Sequence, residues 1–437
     1  MIFSRPLRTF DEDRLGRESL ADYLTTFIKT TIPAVNENSF VLALNSPWGT
    51  GKTSFIQMWR DKLEKSGEEY NIITYNAWEN DDCDVALIPL ICSFSQLCAI
   101  IPSAEAAVER VLGVAAPRFI NFFSKNLLHI DFSDLIDTSD KLKELREPNE
   151  LYKTYSSITE VKDSFNQLVS EFTNNNRKLI IFIDELDRCR PTFAIETLET
   201  IKHFFDLKNV IFIISLDVTQ LSKSIKTVYG DIESEGYLRR FFDYQIPLPK
   251  SSLKEFLSDR LKDEHGVFET DVVLLEKMSE VLQLSLREIN VISKAYLRFL
   301  NTKITEGQYT GFSFNDKIGH VSKGIYLFFI ALKYSNTELY LKLIKEGVKI
   351  DSIPGGESLI KSVFATSLHI AESILYYSPE MVNKTLDQLS QSDDVHERNA
   401  YDILVRYSGA DRLGNRFYTT KLSDVVFNMV EYGLVKI

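Results

Sequence analysis

Residues 46–54, SPWGTGKTS, bring small residues, a lysine and four hydroxyls together in a spacing that suits a bound polyphosphate. They follow the apolar run SFVLAL and precede the helical-looking IQMWRDKLEKS. A loop that wraps closely spaced negative charge must turn several backbone N–H groups inward. Glycine permits this, because a Cβ would crowd the anion. Gly49 and Gly51 supply that freedom. Lys52 is placed to reach the β- and γ-phosphates of ATP, and the Thr53 hydroxyl to face Mg2+. The predicted cradle comprises Ser46, Pro47, Trp48, Gly49, Thr50, Gly51, Lys52, Thr53 and Ser54. A helix starting near Lys52 adds its positive N-terminal end. Ser46 stands where the pattern has its first glycine, the residue that turns out of the strand. Pro47 beside it fixes one dihedral and can hold that turn.

A second constellation lies in RKLIIFIDELD. Asp184 ends an apolar run, at the strand tip where open α/β sheets bind ligands. Mg2+ prefers hard oxygens, commonly one or two carboxylates completed by water and phosphate. Asp184 is therefore the expected metal-side acid, and Glu185 the acid that polarises the attacking water. NVIFIISLD ends in Ser215 and Asp217. Asp217 reads either as a γ-phosphate sensor or as a cap for the following helix. YLRRFF offers Arg239 and Arg240, and SLREIN offers Arg287, to neutralise charge on a transferring phosphate. Arg240 is preferred of the pair, acting in its own or a neighbouring subunit. Trp48 and Trp78 read as packing between loop and sheet, with adenine stacking as the alternative.

These residues need strands that end together. SFVLALN, EYNIITYNAW, RKLIIFIDELD and NVIFIISLD read as strands, and helical segments alternate with them. Continuous apolar runs of this kind mark buried parallel strands in an α/β core. The chain has 437 residues, long enough for two or three domains, and 44% hydrophobic residues to fill their cores. A net charge of −12 without a basic run disfavours generic nucleic-acid binding. Cys83, Cys92, Cys98 and Cys189 form no Cys-x-x-Cys pair, and the six histidines have no metal spacing. Reduced thiols and a cytoplasmic location are expected. The opening MIFSRPLRTFDEDRLG lacks the apolar core of a secretory signal.

In order, SPWGTGKTSF, YNAW, IFIDELDRCRP, ETLETIKHFFDLKNVIFIISLD, VYG, GYLRRFF and SLREIN resemble the KAP family of P-loop NTPases, as does the upstream DRLGR at 13–17. The family includes a neuronal membrane scaffold and plasmid phage-exclusion proteins. The resemblance spans roughly residues 10–300 and implies an α/β fold. That fold is a P-loop NTPase parallel sheet with a helical insertion and a helical C-terminal domain. It implies ATP and Mg2+ as cofactors, with Lys52 and Thr53 on phosphate and metal, Asp184 on Mg2+ and Glu185 as the activating acid. Ser46 departs from the family's usual glycine. Arg240 stands where relatives often have lysine, which keeps the charge and changes the geometry. A signalling or assembly switch is implied, with bacterial phage defence as the setting and self-association as the expectation.

The expected layout is an N-terminal arm and helix over 1–37, the NTPase domain over 38–300 with an insertion over about 84–170, and a helical domain over 301–437. Within the insertion, residues 85–104 carry no charge and approach bilayer length. Pro89 and the interrupting Ser93, Ser95 and Gln96 argue instead for an amphipathic helix with Leu87, Leu90, Ile91, Phe94, Leu97 and Ile101 on its buried face. Peripheral attachment to the inner membrane, or insertion in it, through about 85–104 is the alternative. The C-terminal NTELYLKLIKEGVKID resembles the end of an ankyrin repeat; a helical lid or partner-binding domain is the expectation. Two rival functions stand beside the switch. One is a nucleotide-holding scaffold without turnover, suggested by Ser46. The other is a nucleic-acid motor or loader, against which the acidic balance weighs.

Overall fold

The computed structural model describes residues 7–32, 38–66, 70–98 except 84, 163–173 except 165, 177–204, 207–249, 253–261, 267–305, 317–346 and 379–408, with a few single positions besides. Most of the expected insertion over 84–170, the linker at 309–316 and most of 357–378 lie outside the described residues. The chain divides into two compact units, Ile2–Lys250 and Ser251–Ile437.

In the N-terminal unit, helix α1 (Glu18–Thr30) precedes strand β1 (Phe40–Asn45), helix α2 (Lys52–Lys65) and strand β2 (Tyr70–Asn76). Two short helices follow, α3 (Leu87–Cys92) and α4 (Ser95–Cys98). Then come β3 (Lys178–Asp184), α5 (Pro191–Phe204), β4 (Val210–Leu216), α6 (Val218–Tyr229), α7 (Ser234–Leu238) and β5 (Tyr244–Pro247). The strands form one sheet in the order β2-β3-β4-β1-β5, and every pairing is parallel. Parallel pairing requires crossover helices, and these cover both faces. That is why β1, β3 and β4 are apolar almost without interruption.

Alternation along each strand sends successive side chains to opposite faces. Phe40, Leu42, Leu44, Ile180, Phe182, Ile211 and Ile213 pack with α1 and α2. Val41, Ala43, Leu179, Ile181, Phe212 and Ile214 pack on the other face with α3, α5 and α6. Edge strand β2 is half buried, with Asn71, Ile73 and Tyr75 inward. Its exposed backbone is partly covered by Gln96. That amide accepts from the Thr74 N–H at 3.1 Å and donates to the Thr74 carbonyl at 2.7 Å.

Residues 85–98 correct one sequence expectation. The helix is not continuous: it breaks after Cys92, giving α3 and α4. Leu87, Leu90, Ile91, Phe94 and Leu97 nevertheless all bury in the sheet's core, as their spacing predicts; Ile101 lies outside the described residues. Among the described residues, no helix is long and apolar enough to cross a membrane.

In the C-terminal unit, α8 (Leu253–Leu261), α9 (Glu269–Val281), α10 (Leu286–Thr305), α11 (Lys317–Ser335) and α12 (Thr337–Leu341) lead into a π-helical turn, Lys342–Glu346. Helices α13 (Pro379–Val382), α14 (Leu386–Ser390) and α15 (Val395–Ser408) complete its described elements. Phe299 of α10 stacks on Tyr326 of α11 with centroids 4.1 Å apart. Lys323 is fully buried, 3.1 Å from Asp271 Oδ2 and over the Phe268 ring. A buried ammonium is tolerated here because carboxylate and ring replace its water.

Trp59 fixes the helix that follows the loop. It is fully buried against Phe182, with centroids 5.5 Å apart, and its indole N–H donates to Thr25 Oγ1 of α1 at 2.9 Å. Trp59→Ala should therefore destabilise the chain by about 3–5 kcal/mol, and Trp59→Phe by clearly less. Urea unfolding of both variants measures this; a cost below about 1 kcal/mol for Trp59→Ala would contradict the packing described.

Candidate nucleotide site

Register brings the site together. Asn45 pairs with Leu216, and Asn76 with Asp184, so the C-terminal ends of four strands lie along one edge of the sheet. The 46–51 loop leaves β1 at that edge. Ser46 is buried there, and its N–H donates to the Leu216 carbonyl at 3.1 Å. Serine thus extends the β1–β4 ladder by one bond before the chain turns. The turn needs left-handed backbone at Gly49 (φ 79°) and at Gly51 (φ 89°). A Cβ would strain both positions.

Gly51 caps α2, whose first turn carries Lys52, Thr53 and Ser54. Lys52 folds back over its own loop. Its ammonium donates to the Ser46 carbonyl at 2.5 Å and to the Pro47 carbonyl at 3.3 Å. It lies 3.9 Å from Asp187 Oδ2. Burial lowers the lysine's pKa, against the opposing pull of Asp187, Asp217 and Asp184. The Thr50 hydroxyl closes the turn by donating to the Pro47 carbonyl at 2.8 Å.

Asp187 is a site residue the sequence reading missed. Its carboxylate is buried, and Oδ2 accepts from the Trp48 indole N–H and from the Asp217 backbone N–H, each at 2.7 Å. Burial raises its pKa; Lys52, Trp48 and Asp217 oppose that rise. The available signal was DELD itself, a second acid three residues beyond Asp184.

Asp184 and Glu185 end β3 as expected. Asp184 Oδ1 accepts from the Ser215 hydroxyl at 2.7 Å and from the Glu185 N–H at 3.0 Å. These bonds orient the carboxylate while its other oxygen accepts none among the described residues. Glu185 adopts φ 62°, rare for a residue with a side chain. Burial raises its pKa, and the adjacent Arg188, 2.9 Å from Oε1, pulls the other way. Among the described residues, no group of three His, Cys, Asp or Glu could hold a metal by itself. Thr53 and the free oxygen of Asp184 suit Mg2+, which takes few protein oxygens and completes its shell with phosphate and water.

The other expected residues do not all meet at the loop. Asp217 caps α6, its Oδ1 accepting from the Thr219 and Gln220 N–H groups at 3.0 and 3.2 Å. The capping alternative is therefore realised, and the sensor alternative has no separate support. Arg239 and Arg240 follow α7 and are exposed. Arg287 is exposed in the first turn of α10, in the C-terminal unit. Trp48 and Trp78 correct the packing expectation: they are 44% and 52% exposed. Polar contacts at their edges and faces, rather than burial, hold them. Arg17, closing DRLGR, is a second residue missed. It is buried, and its guanidinium donates to the Thr50 carbonyl at 2.7 Å and the Gly51 carbonyl at 3.4 Å. It thereby ties the segment before α1 to the loop.

The comparisons bear on this geometry. The KAP family P-loop domain matches residues 17–302, more than half of the chain. An uncharacterised protein of Methanocaldococcus jannaschii is 41% identical over 59 residues, which cover 14% of this chain and 30% of that protein's length. Among solved structures, the Walker-type ATPase of Pyrococcus abyssi is 16% identical, with a TM-score of 0.33 and coverage of 83% of this chain and 93% of that one. The Aeropyrum pernix ORC2 protein is 13% identical, with a TM-score of 0.34 and coverage of 81% and 80%. Glycine-bent loop, lysine-led helix, paired acids at the β3 tip and a family match across all of them lead to one conclusion: the chain belongs to the KAP family of P-loop NTPases.

Proposed function

We propose that this chain is a Mg2+-dependent, ATP-binding and ATP-hydrolysing molecular switch. The observation that carries this reading is the meeting of Lys52, Asp184 and Glu185 beside the 46–51 loop at one sheet edge. The loop's N–H groups and the α2 N-terminus would receive the phosphates. Lys52 would exchange the Ser46 and Pro47 carbonyls and Asp187 for phosphate oxygens. Thr53 and Asp184 would hold Mg2+, which when bound neutralises charge between phosphate oxygens. Glu185 would orient the attacking water and draw off its proton. Arg240 or Arg239 supplies the remaining cation, within the chain or from a neighbouring copy, with Arg287 the third candidate.

The output we propose is a change in contacts with a protein partner, read through the helices of 301–437. A cytoplasmic protein that self-associates fits this role. The phage-defence setting rests on the resemblance to plasmid phage-exclusion proteins. The net charge of −12 gives no support to a nucleic-acid motor.

Purified protein should release phosphate from MgATP. Lys52→Ala should lower this steeply by weakening ATP binding, and Glu185→Gln should lower kcat by about 100-fold or more while ATP is retained. Tight ATP binding without turnover in the parent chain would refute hydrolysis and leave a nucleotide-holding scaffold. A second outcome follows from the exchange at Lys52. Asp187→Ala should cost the nucleotide-free chain about 3 kcal/mol, because it leaves a buried cation without its carboxylate. Phosphate replaces that partner, so MgATP should raise the melting temperature of Asp187→Ala more than that of the parent. Equal shifts in a thermal melt would contradict the exchange.

A further inference from the structure

Trp78 closes the YNAW stretch after β2 and has no part in the scheme above. It is half exposed, so the core does not account for it. Its backbone N–H donates to Asn76 Oδ1 at 3.1 Å, which fixes the residue against the end of β2. The Arg188 guanidinium carbon lies 5.4 Å from the centre of its ring. The same guanidinium, through Nη1, is 2.9 Å from Glu185 Oε1. The side chains of Arg188 and Glu185 are 29% and 17% exposed, so water screens this pair only in part. Glu185 therefore rests on an arginine that itself rests on an indole face.

The local backbone makes this arrangement rigid. Glu185 caps one 3-10 turn, Leu186–Arg188, and Arg188 ends it, its N–H donating to the Glu185 carbonyl at 3.1 Å. Leu186 is fully buried, and Asp187 is pinned by Trp48 and the Asp217 amide. Both ends of the ion pair thus belong to one anchored turn. A restraint that opens and closes would be expected to join parts able to separate; this one joins neighbours that cannot. An arginine is also required in a stricter sense than a lysine: only its flat guanidinium pairs with a carboxylate while stacking on a ring.

We propose that Arg188 is a positioning residue for the hydrolytic acid, and that Trp78 is the shelf that holds Arg188 in place. Arg188 at Oε1, together with the Asn76 side chain that also hydrogen-bonds the carboxyl, fixes the direction in which Glu185 is presented. The left-handed backbone at Glu185 sets where the side chain starts, and these two partners set where it ends. This inference rests on the hydrolytic reading and adds to it a role for two residues outside the phosphate cradle.

The test measures steady-state ATP hydrolysis and the affinity for MgATPγS in the full chain, for Arg188→Ala, Arg188→Lys, Trp78→Ala and Trp78→Phe beside Glu185→Gln. Arg188→Ala should lower kcat by about 10- to 100-fold, with KM and MgATPγS affinity within about threefold of the parent. Arg188→Lys should recover part of the loss. Trp78→Ala should lose several-fold in kcat, and Trp78→Phe, which keeps an aromatic face, should stay near the parent. Thermal melts identify any variant that fails to fold, and the milder Arg188→Lys and Trp78→Phe then carry the comparison. A kcat for Arg188→Ala within about twofold of the parent, or above it, while Glu185→Gln is inactive, would overturn the positioning role alone. So would a loss confined to affinity. A parent chain without turnover would overturn the hydrolytic reading and this role with it.

Discussion

One buried carboxylate ties the site together. Asp187 sits between the loop after β1, the tip of β3 and the start of α6, and it faces Lys52, the Trp48 indole and the Asp217 amide. Removing a carboxylate from water costs several kcal/mol unless cations and hydrogen-bond donors replace that water. Here the replacements come from the candidate site itself: Lys52 and Trp48 of the loop segment and the Asp217 amide. The geometry of the loop is thus held by a charge balance that a bound phosphate would disturb. On the proposed reading, this exchange is what would link nucleotide to protein conformation.

The sheet makes this possible. Parallel pairing puts the C-terminal ends of four strands on one edge, and crossover helices leave that edge open while covering both faces. Trp59 clamps α2 to the sheet and to α1. Arg17, just ahead of α1, reaches the loop carbonyls. The segment before β1 therefore belongs to the architecture of the site and not to a separate arm. The compact units divide at Lys250 and Ser251, whereas the family match continues to residue 302. The helices between those limits thus pack with the C-terminal part while belonging to the matched family region.

Much of this was legible in the residues. Apolar runs identified β1, β3 and β4, because strands covered on both faces admit few polar side chains. Gly49, Gly51 and Lys52 marked the loop by their spacing, and Asp184 and Glu185 stood out by their place at a strand end, which is where the structure puts them. Residues that act across long sequence separations were not legible. Asp187 meets Trp48 and Arg17 meets Thr50 only once the sheet has formed, and no local pattern records those contacts. Arg188 carries no motif signal comparable to that of Arg239, Arg240 and Arg287, and its pairing with Glu185 is visible only in the folded turn. The break between α3 and α4 was also hidden, since both pieces keep the same apolar periodicity.

Mg·ATP binding by the 46–54 loop through Lys52 is the claim on which everything else stands. Isothermal titration of the intact chain with MgATP, beside Lys52→Met, tests it most directly. The account predicts saturable binding at a single site, weakened about 10- to 100-fold by loss of the ammonium. Equal affinity in the two proteins, or no saturable binding in the parent chain, would contradict it.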